Sequence, residues 1–231
     1  MTDRELSRAP YSMAVEFRSA SSFLIAYSTN LSRGGLFLET PHELPVGTSL
    51  DLALQVPGAK AVGVQGQVAW RRAKGGPEGP PGVGVEVAEV GPSVGQLIDR
   101  LVSDYHGIAV LVVAGDGRDR GTLKRLIQSV IATADPVQTA DAALADTMIG
   151  DDVDLVVVDL DGDPEGGQLA IRRARSLARA IPVVAVASTP ALRTRAQEAG
   201  AGELIGNPPT LEDLRLAVLR ALGRPLAVRG S

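Results

Sequence analysis

Two clusters near the start of the chain have the residue types and spacing to hold a small anion. Arg4 and Arg8 frame Arg4-Glu-Leu-Ser-Arg8, and Asn30-Leu-Ser32-Arg-Gly-Gly35 follows further along. An arginine pair offers planar forks that grip phosphate oxygens bidentately and stack on purine rings. Asn30 and Ser32 add neutral hydrogen bonds, and glycine lets a ligand approach the backbone closely. Together they would seat a compact dianionic nucleotide. The same residues carry a second reading. Asn-Leu-Ser-Arg-Gly-Gly is also a good turn, because Asn and Gly tolerate positive φ, and Arg4 and Arg8 with Glu5 also suit a solvated tail.

Further clusters lie in the second half. Asp159-Leu-Asp161-Gly-Asp163-Pro-Glu165 would hold a divalent cation loosely, but the glutamate that completes a calcium loop is missing, and a solvated loop at a strand end accounts for it as well. Gly115-Asp-Gly117-Arg-Asp-Arg-Gly121 approaches a dinucleotide fingerprint, with one residue too many before the last glycine. Arg172, Arg175 and Arg179 share a helical face suited to solvent or to an acidic partner. Only two histidines are present, His42 and His106, far apart, and cysteine is absent. Disulfides, thiolate metal sites and a cysteine nucleophile are thereby excluded, and a histidine-based metal site or triad is poorly supplied.

The elements that must position these residues differ between the two halves. Up to about Val90 the chain is dense in Gly and Pro and its apolar residues alternate, as in Ser49–Val56 and Val62–Trp70. Period-two alternation marks half-buried strands. Strands are expected at Ala14–Arg18, Phe23–Ser28, Gly35–Glu39, Ser49–Gln55, Ala61–Arg71 and Gly82–Val87, forming a small six-stranded all-β barrel or sandwich. Pro92–Tyr105 reads as a helix with Val94, Leu97, Ile98 and Leu101 on one face. After Gly107 strand and helix alternate. The apolar runs Ile108–Val113, Asp154–Val158 and Ile181–Ala187 predict parallel strands covered on both faces, as in a doubly wound α/β domain. Thr210 with Asp213 resembles a capping box, and Thr189-Pro190 a cap followed by a first-turn proline. The expected domains are 1–103 and 107–231, the latter ending in a short tail.

The first half resembles a PilZ domain, whose motif is R-x-x-x-R followed by [DN]-x-S-x-x-G. Arg4 and Arg8 match the first part; Asn30, Ser32 and Gly35 match the second. Leu36–Thr40, Leu44–Thr48, Val68–Trp70 and Gly82–Val85 look like that family's strand signatures, in the version common in myxobacteria. The resemblance implies binding of cyclic di-GMP, with Arg4 and Arg8 clamping it and Asn30, Ser32 and Gly35 seating it. The second half resembles the receiver domain of two-component signalling, flavodoxin-like in fold. Asp159, closing Asp154-Leu-Val-Val-Val-Asp159, falls at the phospho-accepting position. Its partners in the family are mostly missing. Ala114-Gly115-Asp116 stands where the family has an acidic pair, Ala187 (with Ser188 adjacent) at the hydroxyl position, and Asn207-Pro208 at the Lys-Pro position. Such a site lacks most of the charge that magnesium binding and phosphoryl transfer require, so a pseudo-receiver used for docking is expected.

Composition agrees with a binding role. The 231 residues carry a net charge of −4 and are 45% hydrophobic, so a substantial core is expected and a nucleic-acid-binding surface is not. No apolar run is long enough to span a membrane, and the N-terminal residues lack a signal-peptide pattern, which fits a cytoplasmic address. The resulting expectation is a non-enzymatic signalling effector that binds cyclic di-GMP, needs no cofactor or metal, and docks protein partners of unknown identity. Two alternatives are a nucleotide-independent adaptor, for example in motility or polarity control, and a phospho-accepting response regulator.

Overall fold

The computed structural model describes residues 11–31, 34–73, 81–87, 91–140 and 142–230. In chain order the elements are β1 (Tyr11–Glu16), α1 (Ala20–Thr29), β2 (Gly35–Glu39), β3 (Ser49–Gln55), β4 (Val62–Arg72), β5 (Gly82–Val87) and α2 (Pro92–Ser103). They continue as β6 (Ile108–Val113), α3 (Gly117–Val130), β7 (Ala134–Thr139), α4 (Ala142–Met148), β8 (Leu155–Asp159) and α5 (Pro164–Ser176). Last come β9 (Val183–Val186), α6 (Pro190–Ala199), β10 (Glu203–Ile205), α7 (Leu211–Leu222) and β11 (Ala227–Gly230).

The chain forms two compact units, each assembled from separate stretches. The first ends its opening stretch at Phe17, resumes over Ala26–Ser103 and takes up the chain again from Pro225. The second comprises Arg18–Ile25 and Asp104–Arg224.

The first unit contains a six-stranded mixed sheet in the order β11-β1-β3-β4-β5-β2, with β1 and β3 parallel and the other pairs antiparallel. Its edge strands β11 and β2 touch. Alternation works as expected along β3, where Leu50, Leu52 and Leu54 are buried, as are Met13, Val15, Val64 and Val85 on other strands of the sheet.

Two expectations fail here. Phe23–Ser28 is helical, within α1. Its apolar and aromatic run suits a strand by residue type, but local hydrogen bonding favours the helix. Ser22 N–H donates to Ser19 Oγ at 3.2 Å, and Ser19 N–H donates to Ser22 Oγ at 3.1 Å. This is a reciprocal capping box with serine at the third helical position. The sixth strand comes instead from the C-terminal end, expected as a tail. Ala227–Gly230 pairs antiparallel with Met13–Glu16, Leu226 N–H donates to Glu16 C=O at 2.6 Å, and Arg229 pairs with Glu16 at 3.3 Å. Six strands are present, but in a mixed sheet accompanied by helices.

The second unit is a five-stranded, wholly parallel sheet, β10-β9-β8-β6-β7. Counted within the unit this is the 2-1-3-4-5 order of flavodoxin-like folds. One face packs Val110, Val112 and Leu155 against Leu123 and Ile127 of α3 and Leu214 and Val218 of α7. The other packs Val113, Val156 and Val158 against Ala145, Ile171 and Ala196 of α4, α5 and α6. The residues Arg18–Ile25 complete this unit: Ser21 Oγ donates to Gly107 C=O at 3.2 Å, and Ile25 packs on the first of these faces.

Candidate functional site

Of the five residues expected to hold a nucleotide, Arg4, Arg8 and Ser32 lie outside the described residues. Asn30 and Gly35 are brought together. α1 ends where Asn30 N–H donates to Ala26 C=O at 3.0 Å, and Gly35 N–H returns to Asn30 C=O at 3.3 Å. Leu31 is buried, and Asn30 beside it is exposed. The glycine that the backbone requires is Gly34, which composition alone does not single out. Its φ is +82°, and its carbonyl accepts from Val87 N–H at 2.8 Å, fixing the loop to β5. Gly35 is extended; a Cβ there would sit 3.6 Å from Val85 O, an ordinary contact.

Beyond Gly35 the outward face of the sheet carries an aromatic cluster that sequence alternation conceals. Strict alternation places Trp70 on the same side as Val62, Val64 and Val68. A register shift between Val68 and Trp70 reverses this and turns Trp70 outward, opposite Gly84. Trp70 is 46% exposed. Its ring stacks on Phe37 at 5.4 Å and 15°, and the Arg72 guanidinium lies 4.4 Å from the Phe37 centroid and 5.7 Å from that of Trp70. Both rings lie over glycines of β5. A Cβ at Gly84 would overlap Trp70, and one at Gly82 would overlap Phe37. The spacing Gly82-x-Gly84 facing an aromatic strand was the available signal. A separate depression of about 690 Å³ on the same sheet is lined by Ser12, Ala14, Asp51, Ala53, Gln65 and Arg229; of the expected site residues that are described, neither Asn30 nor Gly35 lines it.

In the α/β unit, Asp159 ends β8 at the carboxyl edge, where β6 and β8 flank the change in strand order. It is buried and accepts from Asp161 N–H at 2.9 Å. Burial raises its proton affinity above the usual carboxylate range. The Asp161 N–H opposes this, while the charges of Asp161, Asp119 and Asp116 add to it. Asp116, the one acidic residue in the turn between β6 and α3, caps α3 by accepting from Arg118 N–H at 2.7 Å and Asp119 N–H at 3.3 Å, and these bonds hold its carboxyl below the ordinary value. Arg120 donates to the carbonyls of Ala114 and Gly115 at 2.6 and 2.9 Å. The two strand-end loops meet backbone to backbone: a Cβ on Gly115 would lie 3.3 Å from the Gly162 carbonyl carbon.

The hydroxyl in this region is that of Ser188, and it engages Asp161. Ser188 Oγ donates to one Asp161 oxygen, while Ser188 N–H and Asn207 Nδ2 donate to the other at 3.0 and 2.9 Å. Burial would raise the Asp161 carboxyl, but these bonds outweigh it and hold it low. The network thus ties the ends of β8, β9 and β10 together around an aspartate that is not the buried one. Among the described residues no group of three His, Asp or Glu side chains is placed to hold a metal ion.

The raised Asp159 carboxyl has a consequence for stability. A group whose folded-state pKa lies above its unfolded value costs the fold stability as pH rises through that interval, and the cost persists above it. Asp159→Asn, which keeps the oxygen that accepts from Asp161 N–H, is therefore expected to raise the urea midpoint at pH 7.5. The gain should disappear below about pH 3, where the carboxyl is protonated in both states. Equal effects at both pH values would contradict this assignment.

Comparison with known proteins adds the following. Residues 2–104 match the model of the PilZ domain. No curated protein matches the chain. Among solved structures, a protein named for pilus assembly from Burkholderia thailandensis is 20% identical, covering 51% of this chain and 99% of its own, with a TM-score of 0.45. A protein named as a response regulator from Chloroflexus aurantiacus is 19% identical, covering 51% and 99%, with a TM-score of 0.47. The receiver domain of a sensor histidine kinase from Pseudomonas aeruginosa is 19% identical, covering 51% and 98%, with a TM-score of 0.45.

Proposed function

With residues 2–104 matching the PilZ domain model, we propose that the protein is a cyclic di-GMP-responsive signalling effector. Arg4 and Arg8 clamp the nucleotide phosphates and guanine, and Asn30, Ser32 and Gly35 seat it on the sheet. The α/β unit serves as a docking surface for protein partners and does not accept a phosphoryl group. Neither unit is assigned a reaction. A nucleotide messenger places the protein in the cytoplasm, and among the described residues no helix is long and apolar enough to cross a membrane.

The observation that carries the nucleotide reading is the family match together with the placement of Asn30, Gly34 and Gly35. Gly34 turns the backbone at positive φ so that Gly35 closes on Asn30, and Asn30 is exposed beside it. The docking reading is supported by the surroundings of Asp159. No lysine stands at the Lys-Pro position, the nearby hydroxyl is engaged by Asp161, and Asp116 is engaged as a helix cap. Transfer of a phosphoryl group to a carboxylate needs cationic groups free to meet the developing charge, and the arginine nearest the β6 end, Arg120, is engaged by the carbonyls of Ala114 and Gly115.

Thermal denaturation of the full chain tests both parts. At a hundredfold excess over Kd a ligand that binds only the folded state adds about 2.7 kcal/mol of stability. Cyclic di-GMP is expected to raise the midpoint by several degrees, whereas acetyl phosphate with magnesium leaves it unchanged and adds no phosphate to the intact mass. An unmoved midpoint with saturating cyclic di-GMP would leave the adaptor reading in place. A phosphate adduct lost in Asp159→Ala would make the chain a phospho-accepting regulator.

A further inference from the structure

We propose that Phe37, Trp70 and Arg72 form a base-stacking platform that extends the nucleotide site along the outward face of the PilZ sheet. The inference rests on the reading that cyclic di-GMP binds this unit, and assigns to it three residues outside the Arg4–Arg8 and Asn30–Gly35 motifs.

The placement follows from strand register. Gly35 and Phe37 are two residues apart on β2, with inward Leu36 between them, so both face outward. They stand roughly 7 Å apart along the strand. Phe37 pairs with Gly84, and Gly84 pairs with Trp70, so the aromatic pair occupies the row next to the motif's last glycine. The glycines at 82 and 84 leave the space that both rings occupy over β5, where a Cβ would overlap them. The bulge in β4 re-aims Trp70 to this side. Strand irregularities of this kind are found at ligand sites, and here the result is a large aromatic left 46% exposed to solvent.

Arg72 supplies the second observation. Its guanidinium lies over both rings, and its Nε is buried and without a hydrogen-bond partner among the described residues. A buried, unmatched donor is costly unless something completes it. An aromatic pair beside an arginine with a free donor fits a ligand that is flat and anionic at once. A purine base stacks on the rings and Arg72, and the phosphate or the base's carbonyl edge accepts from the guanidinium. Stacking tolerates any base, so the platform provides affinity while the motif residues provide recognition.

The chain contains a single tryptophan, which makes its fluorescence a direct reporter. Titration of the full chain with cyclic di-GMP should change Trp70 emission saturably, at the Kd found by calorimetry on the same sample. Arg72→Gln and, separately, Trp70→Leu should weaken binding between about fivefold and about a hundredfold, the range for loss of one base–aromatic stack. Both variants should keep the wild-type circular dichroism spectrum and unfolding midpoint; Arg72→Gln, at the sheet surface, remains informative if Trp70→Leu is destabilised. Wild-type heat of binding with unchanged Trp70 emission and unchanged affinity in Arg72→Gln would overturn the platform and leave the nucleotide reading standing. Absence of heat from the folded wild type would overturn both.

Discussion

Replacing Arg18 by methionine is expected to destabilise the α/β unit by about 3–5 kcal/mol, a large share of the roughly 5–15 kcal/mol that holds a domain folded. The side chain is 7% exposed and satisfies carbonyls from two connections of the unit. Nε and Nη2 donate to Val153 C=O at 3.2 and 2.7 Å, Nη2 reaches Gly150 and Asp151 C=O at 3.4 Å each, and Nη1 donates to Arg179 C=O. Burial pulls the guanidinium below its ordinary proton affinity and the charge of Arg179 adds to this, while the carboxylates of Asp154, Asp151 and Asp152 oppose it only in part. Methionine preserves the apolar stem and leaves the carbonyls without donors, each costing about 1–3 kcal/mol where water cannot reach it. Arg18→Lys, with a compact ammonium in place of a fork, should fall between the two. Urea unfolding followed by circular dichroism measures the loss; a change below about 1 kcal/mol would show that the carbonyls find other donors.

Arg8→Ala is expected to weaken cyclic di-GMP binding by about a hundredfold or more. Charge-assisted hydrogen bonds are worth about 1.5–3 kcal/mol each, and an arginine fork commonly makes two to one phosphate. Arg8→Lys should recover little, because an ammonium cannot reproduce paired donors. Asn30→Ala removes only neutral bonds, about 0.5–1.5 kcal/mol, so its loss should stay near tenfold or below. If Asn30→Ala weakens binding more than Arg8→Ala, the arginine is not the clamp and the motif has been assigned the wrong roles.

What was legible in the sequence was local chemistry. Asn30, Ser32 and Gly35 stand out because turn and anion chemistry is written in consecutive residue types. β6, β8 and β9 stand out because strands buried on both faces are continuously apolar. The edge strands of the same sheet do not. β7 carries Asp135 and Pro136, and β10 has only three residues, since an edge neither demands apolarity on both faces nor excludes proline. α1 is misread because its capping serines, not its apolar run, decide its conformation.

Other features depend on partners distant in sequence. Ala227–Gly230 becomes a strand only because β1 offers an edge. Arg18, next to β1 in the chain, belongs by its hydrogen bonds with residues more than a hundred positions away. Trp70 points outward because one irregularity shifts the register, and a one-residue slip moves every later side chain to the other face. At the carboxyl edge of the α/β unit, residue types alone show that Asn207 stands where a lysine would precede Pro208. They do not indicate that Ser188 and Asn207 converge on Asp161, because three separate strand ends must first be brought together.

Isothermal calorimetry of the full chain with cyclic di-GMP tests the central claim most directly. One-site binding in the micromolar range, absent from a folded Arg8→Ala variant, is the predicted result; no heat at high ligand concentration, from wild-type protein shown to be folded, would contradict it.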